Sequence, residues 1–385
     1  MCKLLHILGC AWSVQFSWQG AREVRDTSCF GKLYFLESCL LKGKTSFAIR
    51  RWSVLLGCAV LALGLAGSNA FAESCLTASD MDDATRTALN TAALHYFDLA
   101  GKGDTVSLRQ SAIPSVASDF SGIESTVKDN QPALASSKAT PRSPFLLEAD
   151  GTAPIPRAEF FCGVFSGNGQ TRNSAVFLLN NLAPGKYGVV MLDAPSQKGA
   201  YVVSMILQQM GSDWKLGNLF ISTAQFGGHD SEWFAARARE FRGKNQVYDA
   251  WLYYLEAISL VSPLPFMSTA ATDKLYDESQ KARPADVPVE GKTLDLSAVT
   301  AAGAVTYKLT ALFPHAVGDD LDLVVRYQAM DVSNTVQAYQ NNVAVIKALV
   351  TKYPELRGAF AAVVARAVDP SGHDYGTLLA MKEIK

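Results

Sequence analysis

The sequence predicts an α+β protein: an N-terminal helix plus an antiparallel meander, then a central helical hairpin, then a small C-terminal α+β unit. Three observations predict it. Apolar residues recur at helical spacing soon after Ser79. From Pro156 the period drops to two, over five segments separated by turn residues. Residues 231–263 return to helical spacing, with aromatic and small residues interleaved.

Residues 1–41 carry neither period and hold the scattered cysteines Cys2, Cys10, Cys29 and Cys39. They read as a gene-model extension upstream of a true start near Leu41. Residues 42–72 read as a secretory signal peptide. Lys42, Lys44, Arg50 and Arg51 make a basic segment, Trp52 to Ala66 an apolar one, and Ala70-Phe71-Ala72 supplies the small residues of a cleavage site. The apolar run is shorter than the ~20 residues of a spanning helix, so no retained transmembrane helix is expected, an uncleaved anchor being the competitor. Arg50-Arg51 and Leu55-Leu56-Gly57-Cys58 leave twin-arginine export and lipoprotein processing open as rarer routes. The expected location is periplasmic or extracellular.

Cleavage near Glu73 leaves two of the seven cysteines, Cys75 and Cys162. In an oxidising compartment a pair of cysteines points to a disulfide, with two unpaired thiols as the alternative. About 310 residues remain, enough for two or three ordinary domains. They divide into an α+β region over 73–225, a helical segment over 228–284 and an α+β region over 290–385. The charges nearly balance (35 basic against 36 acidic), and no Lys/Arg cluster lies beyond the leader. That composition points away from nucleic acid and anionic membrane surfaces.

Ser79-Asp80-Met81-Asp82 reads as a capping pattern. Ala84, Leu89, Ala93, Tyr96, Phe97 and Ala100 follow at helical spacing until Gly101 and Gly103. Asp104 caps a short second helix ended by Pro114, and residues 129–142 read as loop. Candidate strands span 158–166, 174–182, 186–193, 200–210 and 213–222, joined by short turns into a meander with the helix on one face. The run from Tyr96 to Leu108 (YFDLAGKGDTVSL) and the hairpin from Gln208 to Leu216 (QQMGSDWKL) resemble nuclear-transport-factor-two-like proteins, cone-shaped α+β domains that include ketosteroid isomerases. The resemblance covers about the first half of the mature chain. It implies an oxyanion donor at Tyr96 and a base near Asp119, with no counterpart for the second acidic donor. The ordinary alternative for Tyr96 is core packing. Leu182-Ala183-Pro184-Gly185-Lys186-Tyr187 also resembles the turn and strand of prealbumin-like β-sandwiches, which the long N-terminal helix opposes.

Asp230 or Ser231 caps the first hairpin helix, Gly243-Lys244-Asn245 breaks it, and Pro263 ends the second. Phe234, Ala238, Phe241, Ala250, Tyr254 and Ala257 resemble the large–small alternation of a tetratricopeptide unit, whose small residues let two helices cross closely. Arg237 departs from that pattern. Trp233, Trp251 and Tyr253 are candidates for a partner-binding groove; the alternative is that the hairpin joins the flanking α+β regions. A third helix over 268–281 follows. Beyond it come strands over 293–298, 305–313 and 321–328, a helix capped by Ser333, a second helix begun by Pro354, and a closing strand over 375–381.

No phosphate loop, nucleophile elbow, dinucleotide fingerprint or Cys-x-x-Cys is present, and no cofactor is expected. His229-Asp230 and His373-Asp374 each follow glycine, and His315 precedes Asp319, Asp320 and Asp322. Folded together these form a candidate cation site; separately they are turn chemistry. The expectation is a non-catalytic exported protein that binds or assembles. The alternative is an enzyme or small-ligand binder using the interior around Tyr96.

Overall fold

The computed structural model describes residues 73–167, 169–288, 291–300 and 303–385. The segments read from the sequence as a signal peptide and an upstream extension lie outside them. β1 (Glu73–Leu76) leads into α1 (Asp83–Lys102), where the N-cap is Asp82, whose carboxylate accepts from the Thr85 amide at 2.8 Å. α2 (Thr105–Gln110) is capped by Asp104 as expected. α3 (Pro114–Ser118) and α4 (Ser121–Leu134) follow. α4 overlaps the segment expected to be loop. Its buried side chains are few (Ile123, Val127, Ala133, Leu134), so the polar residues between them hide the helical period.

β2 (Thr140–Pro141), β3 (Phe145–Ala149), β4 (Ile155–Ser166), β5 (Gly169–Leu182), β6 (Gly185–Ser196), β7 (Gly199–Met210) and β8 (Asp213–Thr223) include all five predicted strands, but not as one meander. One sheet runs β1-β3-β6-β7-β8, with β2 also on β6. The β4–β5 hairpin belongs to a second sheet, and the chain changes sheets at Ala183-Pro184. Burial explains the split. Along β6, Val190, Leu192 and Ala194 pack under α1 and α4, while Tyr187, Val189 and Met191 pack against Phe160, Cys162 and Phe177 of the hairpin. A strand apolar on both faces needs a layer on each side. Close approach of α1 is allowed by Gly188, where a Cβ would meet the Leu89 side chain at 2.1 Å.

β9 (Gln225–Phe226) and β10 (His229–Asp230) form a small hairpin before α5 (Ser231–Gly243) and α6 (Val247–Val261). The six positions of the large–small alternation are all buried. β11 (Met267–Thr269) adds a strand to β5, and Thr269 caps α7 (Ala270–Ala282): its hydroxyl accepts from the Thr272 amide while its own amide donates to the Thr272 hydroxyl. The C-terminal sheet runs in order through β12 (Leu294–Thr300), β13 (Gly303–Val317), β14 (Asp320–Gln328), β15 (Ala362–Val368) and β16 (Asp374–Ala380). Between β14 and β15 lies α8 (Thr335–Lys352), capped by Asn334 and not Ser333, so β14 and β15 are parallel.

The helix expected after Pro354 is a single 3₁₀ turn, Pro354–Gly358, followed by strand β15. Val363, Ala365 and Ala367 are buried at period two, and Val363-Val364 favours a strand that packs between β14 and β16. All described residues belong to one compact unit. The helical hairpin shares a core with the C-terminal sheet: Phe234, Tyr254 and Ile258 cluster with Leu309, Leu323, Val325 and Phe360. Among the described residues, no helix is long and apolar enough to cross a membrane.

Candidate functional site: an aromatic and acidic cleft

Cys75 and Cys162 form a disulfide with Cα atoms 5.1 Å apart, within the ordinary range for such bonds. It pins β1 to β4, across the two sheets.

Tyr96 is buried in α1, and its hydroxyl donates to the Trp214 carbonyl at 2.8 Å. Burial, with the Asp213 charge nearby, pushes that hydroxyl above the usual tyrosine range. Around it Phe97, Leu108, Val203, Leu207 and Leu216 pack as core. Asp119 is exposed after α3, where it accepts from Ser121. A donor committed to a backbone carbonyl and a carboxylate out in water do not make an acid–base pair around a shared substrate.

Trp251 and Tyr253, read from the sequence as candidates for a partner-binding groove, are only 6% and 8% exposed. The Tyr253 hydroxyl donates to the Ala359 carbonyl at 2.8 Å and its ring meets Phe241 and Phe360, so it joins the hairpin to the C-terminal region. Trp233 differs, at 40% exposed. Its position follows from local chemistry. Asp230 accepts from the Trp233 amide at 3.0 Å, capping α5 and placing Trp233 in the first turn. Gly227 and Gly228 both have positive φ, which lets the β9–β10 turn reverse tightly and return His229 over the indole. The two rings stack with centroids 3.8 Å apart and planes 10° from parallel.

That turn abuts the β13–β14 turn: a Cβ on Gly227 would lie 3.4 Å from the Asp319 carbonyl oxygen. Between them opens a cleft of about 280 Å³. Phe226, His229, Trp233, Phe234 and Tyr253 supply its aromatic lining, and Asp319, Asp320 and Leu321 line it as well. Trp233 meets Phe234 edge-on at 4.9 Å, and Phe234 meets Tyr253 at 5.6 Å, so the aromatic lining is continuous. Asp319 and Asp320 are exposed and enter no ion pair among the described residues. Among the described residues, no lysine or arginine lines the cleft. Asp322, buried just beyond, is pushed above the usual carboxylate range by burial and by the Asp320 charge.

His229 and the aspartates of the β13–β14 turn are therefore brought together, whereas His373 and Asp374 are not. The β15–β16 turn follows Val368, which pairs with Gln328 at the far end of β14 from Asp320. There His373 faces Asp369 at 3.5 Å and Asp374 pairs with Arg366. Among the described residues no cluster of three His, Cys, Asp or Glu side chains is placed to hold a metal. The sequence reading singled out Trp233, His229 and the Asp319–Asp320 pair but missed Phe226. Two glycine-marked turns were the available signal, and nothing local says that they meet.

No protein-family model, characterised protein or solved structure matches this chain.

Proposed function

We propose that this chain is an exported, oxidised protein that works by binding and not by catalysis, and that its ligand site is the cleft between the helical hairpin and the C-terminal sheet. One observation carries the reading: a large aromatic side chain, Trp233, stands partly exposed and stacked on His229, in a cleft also lined by two carboxylates that enter no ion pair among the described residues. Surface concavities with a few convergent polar groups are the ordinary form of ligand sites. The Cys75–Cys162 bond supports an oxidising compartment, and with it the signal peptide reading of residues 42–72. Tyr96, spent on the Trp214 carbonyl, offers the competing enzyme reading no free donor.

The test has two parts. Expressed with its own leader, the chain is recovered outside the cytoplasm, begins near Glu73 and has no reactive thiol. A full-length cytosolic product with two reactive thiols refutes export. The processed protein is then screened by tryptophan fluorescence against cationic, neutral and anionic small molecules. A saturable change that Trp233→Leu abolishes is expected; a screen in which no class produces one refutes binding at the cleft.

A further inference from the structure

We infer that the cleft takes a small organic cation, an alkylated ammonium head group. This rests on the binding reading above and narrows it to one ligand chemistry. Aromatic rings present negative faces, so a cation desolvates more cheaply against them than against aliphatic side chains. Here Trp233, 40% exposed, and the half-buried Phe226 line a single concavity, with the buried Phe234 and Tyr253 behind them. Asp319 and Asp320 supply formal negative charge, and among the described residues that line the cleft the imidazole of His229 is the one basic side chain. An anionic ligand would meet two carboxylates that enter no ion pair among the described residues.

The positive end of α5 points into the same neighbourhood, but it is already answered. Asp230 accepts from its first turn, and Glu232 in that turn pairs with Arg239 at 2.8 Å. Size limits the ligand as well. About 280 Å³ lies just below the usual range of ligand pockets, enough for a trimethylammonium group and a short tail. A divalent metal fits less well, since among the described residues no cluster of three His, Cys, Asp or Glu side chains is placed to hold one. A neighbouring contact shows the same chemistry at work, with the Arg237 guanidinium over the Phe241 ring at 4.7 Å.

The experiment is calorimetric titration of the processed protein with choline and, separately, with its uncharged carbon isostere, dimethylbutanol. Choline is expected to bind at least about tenfold more tightly than the isostere. Its affinity should fall as salt is raised, because the carboxylates are exposed. Trp233→Leu is expected to abolish choline binding. Asp319→Asn combined with Asp320→Asn should weaken it about tenfold, with the circular dichroism spectrum unchanged, since Asp319 lies in the turn, Asp320 opens β14, and both are exposed. Equal binding of choline and isostere, or no binding of choline, overturns the cation inference. Cleft binding itself survives either result if another class in the fluorescence screen binds in a Trp233-dependent way, and falls with it if none does.

Discussion

Two carboxylates that take no part in the cleft carry the clearest residue-scale consequence. Asp249 and Glu256 lie on α6 and are 0% and 6% exposed, and both Asp249 carboxylate oxygens lack a hydrogen-bond partner among the described residues. Burial, reinforced by Glu355, pushes Asp249 up to about 7; burial alone pushes Glu256 to about 7. The folded chain therefore retains protons that the unfolded chain releases from about pH 4 upward. Stability falls as pH rises between those values, and above the folded-state pKa the loss is complete. Asp249→Asn is expected to remove part of that loss, raising stability at pH 8 by about 1–3 kcal/mol while changing little at pH 4. Urea denaturation at the two pH values checks it. An equal effect at both would mean that the carboxyl's charge is not what costs stability. Such a residue is invisible in the sequence, where Asp249 in the first turn of a helix reads as favourable dipole chemistry. Trp233, Trp251 and Tyr253 teach the same lesson. Residue type nominated all three, and only the packing separates the exposed ring from the two buried ones.

At the scale of elements, periodicity was readable wherever one face of a helix or strand meets a core. α1, α5, α6 and the five strands between 155 and 223 fall where their spacing places them. It failed for β15, where a proline start and a run of apolar residues resemble a buried helix as much as a central strand. The β4–β5 hairpin depends on a bulge whose cause is also local. The register shifts between Gly163 and Phe165, where Gly163 has φ +83°, and a Cβ there would lie 2.0 Å from the Asn173 carbonyl oxygen. Gly163→Ala combines a disfavoured backbone region with a clash against main chain. A loss of about 1–3 kcal/mol in denaturant unfolding is expected. A neutral substitution would show that the hairpin can slide to another register.

Two features hold the whole molecule together, and each predicts something measurable. The Cys75–Cys162 bond closes a loop of 87 residues, worth about 4–5 kcal/mol in the chain-entropy model. Cys75→Ser with Cys162→Ser should lower unfolding stability by roughly that amount and leave the circular dichroism spectrum of the native state unchanged. The second feature is the core shared by α5, α6 and the C-terminal sheet. Because neither part buries its apolar face alone, hydrogen exchange in 247–261 and 321–328 should be governed by one opening free energy. Protection that differs between them by more than about 2 kcal/mol would mean that they open separately.

What the sequence by itself determined was local. It set the α+β class, most helices and strands and the cap at Asp104, narrowed the α5 cap to Asp230 or Ser231, and pointed to Cys75 and Cys162 as a pair. Each of these depends on residues close together in the chain or on chemistry that needs no geometry. Tertiary structure decided which strands share a sheet, where the meander divides, which aromatics are covered, and that the Gly227-Gly228 and Gly318-Asp319 turns meet around a cleft. Those outcomes are set by which apolar faces find one another across long stretches of chain, and hydrophobic burial is non-directional, so spacing along the sequence does not name the partner.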